Sequence, residues 1–355
     1  MLKKPFTLAV LAVLLALASS GSSSSSDGKV RVVATLTTLG SIAQAIGGEH
    51  IDLMVIAKGV QDAHYVDPKP SFMTRLRKAD LFLLNGLDLE VGWVPPLTEG
   101  ARNPKILRGG SGFVDCSANM PVVEIPTSLS RAGGDIHPYG NPHYLTDPLN
   151  AEVVAATITA ALQKADPGHA DVYEERRRAF VDRLHRELFG DELVDLAGGA
   201  KLAREAFAGR LDAFLDGTSF GGAPLRTRLG GWMGRMEKVR GSRLITYYRD
   251  YSYLAARFGL QVVDTVEPKP GILPSAKHLE DLVRTVAVDS VRVIVSRPYA
   301  EHRSTNLLAK RTGIRIVDLP MDVGGAPGTD DFFQLQDHVV DVLVETLSDG
   351  AAGKE

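Results

Sequence analysis

The sequence predicts an α/β protein of two lobes, each with a mainly parallel sheet flanked by helices, joined by a long helical segment. Three observations predict it. Short β-branched, apolar runs alternate with helical spacing from Val30 to Leu107. No convincing strand follows between Asp147 and about Met236. The alternation then returns at Leu244.

Val30 to Leu36 is β-branched and apolar and reads as a strand, followed by a short helix, Leu39 to Ile46, closed by Gly47-Gly48. Ile51 to Ala57 is the second strand. Pro70-Ser71 opens a helix that runs to about Lys78, because proline suits the first helical position. Leu81 to Leu84 is a third strand ending at Asn85-Gly86, residues 90–101 read as helix, and Lys105 to Leu107 as a short strand. In the middle, Asn150 to Lys164 has helical spacing. Tyr173 to Leu188 places Phe180, Leu184 and Leu188 on one stripe of a long helix. Lys201 to Leu215 and Leu225 to Met236 read as shorter helices broken by glycines, with Trp232 and Met233 as packing residues. The last strands are Leu244 to Tyr248, Gln261 to Glu267, Val291 to Ser296 and Ile314 to Leu319, with helices between them and one near Asp331 to Leu347. The segments are therefore 1–28, a leader and tether; 29–146, the first lobe; 147–240, the helical link with extra helices; and 241–349, the second lobe. Two lobes imply a cleft, and open α/β sheets bind ligands at the carboxyl ends of their strands.

Lys3 and Lys4 precede an apolar run, Leu8 to Ala18, and then small residues, which is the pattern of a secretory signal peptide cut between about Ala18 and Ser22. The run is shorter than the roughly 20 residues a membrane span needs; a membrane anchor or a buried helix is the other reading. Ser19 to Ser26 is nearly all serine and reads as a flexible tether. An exported, periplasmic or extracytoplasmic protein is expected, with no lipid attachment near the exit, where no cysteine stands. The formal charge of −3 lacks the basic footprint of a nucleic-acid binder. A single cysteine, Cys116, excludes an intrachain disulfide framework and a cysteine-rich zinc knuckle.

Nine histidines are present, and two stand in proline-rich loops with an aspartate a few residues on. His64 lies in Asp62-Ala63-His64-Tyr65-Val66-Asp67-Pro68, after a strand. His143 lies in Gly140-Asn141-Pro142-His143-Tyr144-Leu145-Thr146-Asp147-Pro148, before a helix. Imidazole suits zinc, nickel, copper or iron. A bound imidazole donates its other N–H to a carboxylate or carbonyl, a role open to Asp67 and Asp147. The competing reading is two ordinary loop histidines bonded to backbone.

These two loops, with Tyr253 to Leu260 and then Val262, resemble the metal-binding receptors of ABC importers, the ZnuA/TroA-like zinc and manganese group, from residue 30 to about 347. The resemblance implies one rigid linking helix between the lobes, a metal buried between them, and delivery to a membrane permease by a monomer. It implies one ligand from each of four segments, the first two matched by His64 and His143. The third, usually histidine or glutamate, falls at Tyr248, a departure, because a phenol with an ordinary pKa near 10 is a poor ligand. Glu267, ending a strand, is the compensating candidate, or else a salt-bridge partner of Lys269 or Arg249. His137, six positions before His143, is a second candidate. The fourth family ligand is an aspartate, matched by Asp322 or, less well, Asp318. The expected set is thus His64, His143, Glu267 and Asp322, with Tyr248, His137, Asp67 and Asp147 as possible ligands or their supports, and zinc or manganese as cargo. The remaining histidines read as solvated. Ile125 to Gly140 holds only His137, so the histidine-rich loop of many zinc-specific relatives is lacking.

Two rivals stand beside this reading. A hydrolytic zinc enzyme would show a motif such as His-Glu-x-x-His, and none is present. A protein that kept the fold without the metal would serve as an adhesin or envelope component.

Overall fold

A computed structural model describes residues 28–127, 137–269 and 272–348 of the chain. The leader and the serine tether, Ser19 to Ser26, lie outside the described residues. The first sheet is made of β1 (Val30–Ala34), β2 (Ile51–Val55), β3 (Leu81–Leu84) and β4 (Phe113–Asp115), in the order β2-β1-β3-β4 with every pair parallel. Between them lie α1 (Thr37–Gly47), α2 (Pro70–Lys78) and α3 (Val94–Ala101). All four residues of β3 are buried, which is what an apolar run without alternation produces inside a parallel sheet. The predicted strand at Lys105 to Leu107 is instead a 3-10 turn, because Pro104 opens it and Asn103 Oδ1 accepts from the Lys105 N–H; the fourth strand forms at Phe113–Asp115.

The middle is helical: α4 (Ala151–Ala165), α5 (Ala170–Phe189), α6 (Asp191–Ala197), α7 (Gly199–Phe207) and α8 (Leu211–Gly217). The expected helix over Lys201 to Leu215 is split in two at Gly209, whose φ of +66° is left-handed. A two-residue hairpin, β5 (Ser219–Phe220) and β6 (Ala223–Pro224), turns through Gly221-Gly222, both at positive φ; runs this short carry no periodic signal. Next comes α9 (Gly231–Met236). Helix α5 touches elements of both halves of the chain. Arg176 donates to Gly47 O at the end of α1, while Phe180 and Arg183 pack on Phe333, near the start of the last helix. The predicted stripe of Phe180, Leu184 and Leu188 is buried, as are Trp232 and Met233.

The second sheet repeats the topology of the first. It contains β7 (Arg243–Thr246), β8 (Gln261–Thr265), β9 (Val293–Ser296) and β10 (Arg315–Asp318), parallel, in the order β10-β9-β7-β8. Its helices are α10 (Ser252–Phe258), α11 (Ala276–Val288), α12 (Arg303–Thr312) and α13 (Phe332–Ser348). In each sheet the chain runs outward from a central strand and then returns to its other side. The crossovers therefore diverge between β1 and β3 and between β7 and β9, where a crevice opens at the strand ends. Among the described residues, no helix is long and apolar enough to cross a membrane.

The two halves meet through their loops. Thr38 Oγ1 donates to Asp322 Oδ1 (2.6 Å) and the Phe332 N–H to Ser41 Oγ (3.0 Å). A Cβ on Gly59 would overlap the backbone of Val323 and Gly324. Glycine at 59 is thus required by the approach of the loop after β2 to the loop after β10.

Candidate metal centre

The loop after β2 turns tightly at Asp62. Its Oδ1 accepts from the backbone N–H of His64 (3.0 Å) and lies 2.6 Å from His64 Nδ1. With Nδ1 holding the proton against the carboxylate, Nε2 is left as the lone-pair nitrogen, able to bind a cation. Asp62, rather than Asp67, fills the supporting role; Asp67 is exposed. Burial pushes the Asp62 carboxyl up, but the His64 bond and Arg297 outweigh it and hold it below the ordinary carboxylate range.

His143 is placed by a web of buried polar contacts. Its N–H donates to Asn141 Oδ1 (2.9 Å), and its carbonyl accepts from Thr146 Oγ1 (2.8 Å). Asn85, at the end of β3, fixes the same loop, its Nδ2 donating to Pro142 O and its carbonyl accepting from the Tyr144 hydroxyl. Asn85 is itself held by Glu90, a buried carboxylate that also accepts from Thr35 Oγ1 and the Gly86 N–H. The His143 side chain is 7% exposed and its Nε2 has no hydrogen-bond partner among the described residues. Burial, with the neighbouring His64, His137 and Arg297, pushes its pKa well below 6.5, so the ring is neutral.

His137 completes the cluster. The ligand-capable atoms of His64, His137 and His143 lie within 4.8 Å of one another, the one such group of three among the described residues. The Nε2 atoms of His64 and His137 are 3.1 Å apart, and His137 and His143 meet edge to face with ring centres 6.3 Å apart. Zinc–nitrogen bonds of about 2.0–2.1 Å imply tetrahedral nitrogen–nitrogen edges of roughly 3.3 Å. The His64 and His137 nitrogens therefore stand near the spacing one ion requires, with the third ring within 4.8 Å of them.

Two carboxylates approach this cluster. Asp322 lines a small cavity of about 30 Å³ with His64, His143, Tyr299 and Met321, room for little more than one water-sized occupant. Burial raises its pKa, partly offset by the Thr38 hydrogen bond. The second carboxylate is Asp250, which the sequence reading did not single out. It lies on the 3-10 turn after β7, 0% exposed, with Oδ1 3.4 Å from His143 Nε2 and Oδ2 3.3 Å from Arg297 Nε. Neither contact has hydrogen-bond geometry, so both Asp250 oxygens, His143 Nε2 and Arg297 Nε are buried without a hydrogen-bond partner among the described residues. Unpaired buried polar atoms are costly, and a nitrogen and oxygens left this way describe a donor set for a cation. The signal for Asp250 was its position two residues after Tyr248, in the loop where a ligand was expected.

The other predicted residues fall around this core. Tyr248 lines a wider cleft of about 410 Å³ with His137, His143 and Arg249; burial lifts its phenol to about 12, further from the ionised form a metal would need. Glu267 is buried; its N–H donates to Tyr247 O, its charge raises the pKa of Tyr247, and it lies outside the close group of histidines. Asp318 is 3.7 Å from His302. Asp147 pairs with Arg257 on α10 through two hydrogen bonds of 2.9 and 2.8 Å and accepts from the Leu149 N–H. Among histidines read as solvated, His185 is the correction. It is 4% exposed and bonds Glu152 across the α4–α5 contact, because two helices packed this closely leave it no access to water.

His143 gives a pH prediction. It remains neutral in the folded chain, whereas an unfolded imidazole gains its proton near pH 6.5. Below that pH the unfolded state binds more protons, so stability falls as pH falls, by up to about 2 kcal/mol at about pH 5. Metal-free protein is expected to lose this in urea titrations between pH 7 and 5, and His143→Gln to flatten the dependence. An equally steep profile in the variant places the acid sensitivity elsewhere.

Comparison with known proteins follows from the fold and the cluster. The family described as zinc-uptake complex component A, periplasmic (ZnuA), matches residues 32–187 and 230–346. A putative metal-binding protein of Treponema pallidum is 26% identical over 298 residues, covering 81% of this chain and 78% of that protein. The manganese ABC transporter substrate-binding lipoprotein PsaA of Streptococcus pneumoniae is 29% identical over 161 residues, 44% of this chain and 49% of its own. The chain thus spans about half the length of the streptococcal relatives it matches. A crystal structure of ZnuA superposes with a TM-score of 0.66 at 18% identity, covering 90% of this chain and all of that one, which is a likeness of fold.

Proposed function

Because the chain belongs to the ZnuA family, matched over most of its length, we propose that it is an extracytoplasmic receptor. It captures a divalent transition metal between its lobes and passes it to a membrane ABC permease. The observation that carries this reading is the convergence of His64, His137 and His143, the last buried and neutral, with its Nε2 lacking a hydrogen bond among the described residues. His64, His137 and His143 would supply nitrogen ligands and Asp322 a carboxylate from across the small cavity. Glu267 and Tyr248 are left as neighbours of the site.

Three imidazoles favour zinc, and each added carboxylate moves preference toward manganese. Relatives bear names for manganese and for iron binding, so zinc first and manganese second is the order we infer. Capture involves no bond-making in a substrate, and the protein is read as a carrier and not an enzyme. The Leu8 to Ala18 leader would send it across the inner membrane, and the serine tether would precede the folded part. A structural or adhesive role without metal gives no reason for buried donor atoms aimed at one point.

The test is thermal denaturation of chelator-stripped protein with zinc, manganese or magnesium added. Ligand at about 100 times Kd stabilises by about 2.7 kcal/mol, a rise of several degrees, expected with zinc and, less strongly, manganese. No rise with either ion at millimolar concentration leaves the metal-free role as the better reading.

A further inference from the structure

We propose that Asp250 is a ligand of the cargo metal and that Arg297 is its resident counter-cation, so that capture adds a second cation to a carboxylate already shared. The proposal rests on the metal-receptor reading above. The two residues follow β7 and β9, the strands at which the second sheet's crossovers diverge. Asp250 is pinched between His143 and Arg297, one oxygen toward each, at 3.4 and 3.3 Å. The 3.4 Å separation is close to the edge, roughly 3.3–3.4 Å, between two ligands on one tetrahedral zinc. Among the described residues, neither His143 Nε2 nor Asp250 Oδ1 has a hydrogen-bond partner, in the other or elsewhere. With the His143 proton on Nδ1, Nε2 and the Asp250 oxygen both present lone pairs, and a cation placed between them draws the two together.

Arg297 offsets part of the cost that a wholly buried carboxylate carries before the metal arrives. An isolated buried charge is expensive, and a guanidinium beside it offsets that cost. Arg297 also lies 3.6 Å from the second oxygen of Asp62, whose first oxygen orients His64. One guanidinium therefore touches both carboxylates that back the histidines. With neutral imidazoles, Asp62, Asp250 and Arg297 sum to one negative charge, and a divalent ion brings this group to one positive charge. Without Arg297 the same ion would bring it to neutrality. Arg297 thus weakens retention of the metal, as suits a carrier that must give up its cargo.

The test uses the mature protein, calorimetric zinc titration, and stopped-flow release to a chelator at mildly alkaline pH. Asp250→Asn is expected to weaken zinc binding about tenfold or more, and Arg297→Met to tighten it and slow release by about tenfold or more. X-ray absorption of the zinc-loaded Asp250→Asn protein should show one oxygen scatterer fewer. Should Asp250→Asn fail to fold, Asp250→Glu keeps the charge and is expected to retain oxygen coordination. An unchanged affinity in Asp250→Asn with a lowered melting temperature would make Asp250 a structural partner of Arg297 only. An unchanged or weaker affinity in folded Arg297→Met overturns the counter-cation role. Wild-type protein that binds no metal overturns the functional reading itself, whereas variants that match a metal-binding wild type overturn only this inference.

Discussion

Alanine at His64 or at His143 is expected to lower zinc affinity on the order of a hundredfold, and the double replacement on the order of ten-thousandfold. Apparent zinc-binding free energies of about 10–16 kcal/mol spread over the three histidines, Asp322 and Asp250 give about 2–3 kcal/mol each, and each 1.4 kcal/mol or so is tenfold in Kd. Additivity is the default for two separate ligands, although neighbours sharing one ion can couple. The fold should survive both changes. His64 is on a loop held by Asp62 and by the cross-lobe approach at Gly59. His143 contributes its backbone to the loop through Asn141 and Thr146, contacts that alanine keeps. His137→Ala should cost as much as either, and Tyr248→Phe little, since it removes only a phenol held un-ionised by burial. Calorimetric titration checks all five variants. A double His64, His143 variant that binds zinc like wild type removes the site from this place in the fold.

How much of this was legible in the sequence depends on how local the signal is. Strands such as Leu81–Leu84 and Val293–Ser296 were readable because they are buried on both faces and so nearly continuous in apolar residues. The strand at Phe113–Asp115 was not, since three residues after a glycine-rich turn look like loop, and the Lys105–Leu107 run nearby looked better. The loop histidines were readable from proline punctuation and a following aspartate. Their supports were not. The aspartate that holds the His64 ring precedes it, in the turn itself, and the aspartate after His143 is bound to Arg257 in the opposite lobe. Asp250 and Arg297 were overlooked for the same reason. They stand 47 residues apart in the chain and become neighbours only when β7 and β9 pair, and sequence spacing carries no trace of that.

Breaking the Asp147–Arg257 pair is expected to destabilise the protein by about 3–5 kcal/mol, the range for removing one partner of a buried ion pair. The side chains are 9% and 10% exposed and joined by two hydrogen bonds, so the surface-pair figure of under about 1 kcal/mol does not apply. Asp147→Ala also removes the acceptor of the Leu149 N–H. Asp147→Asn keeps that acceptor and isolates the charge. The double Asp147→Ala, Arg257→Ala variant should recover part of the loss, because it leaves no orphaned guanidinium. Function follows from where the pair sits. Asp147 ends the turn that begins at His143, and Arg257 is on α10, whose Tyr253 hydroxyl donates to Asn141 O in the same loop. The histidine loop of the first lobe is thereby bolted to a helix of the second. A joint of this kind favours small loop shifts over wide opening when metal leaves. Asp147→Ala should therefore weaken zinc binding as well as fold stability, with added zinc restoring less stability than it gives wild type. Urea denaturation with and without zinc reads both effects. A loss under about 1 kcal/mol, with zinc stabilisation intact, would show that the two lobes hold the His143 loop without this pair.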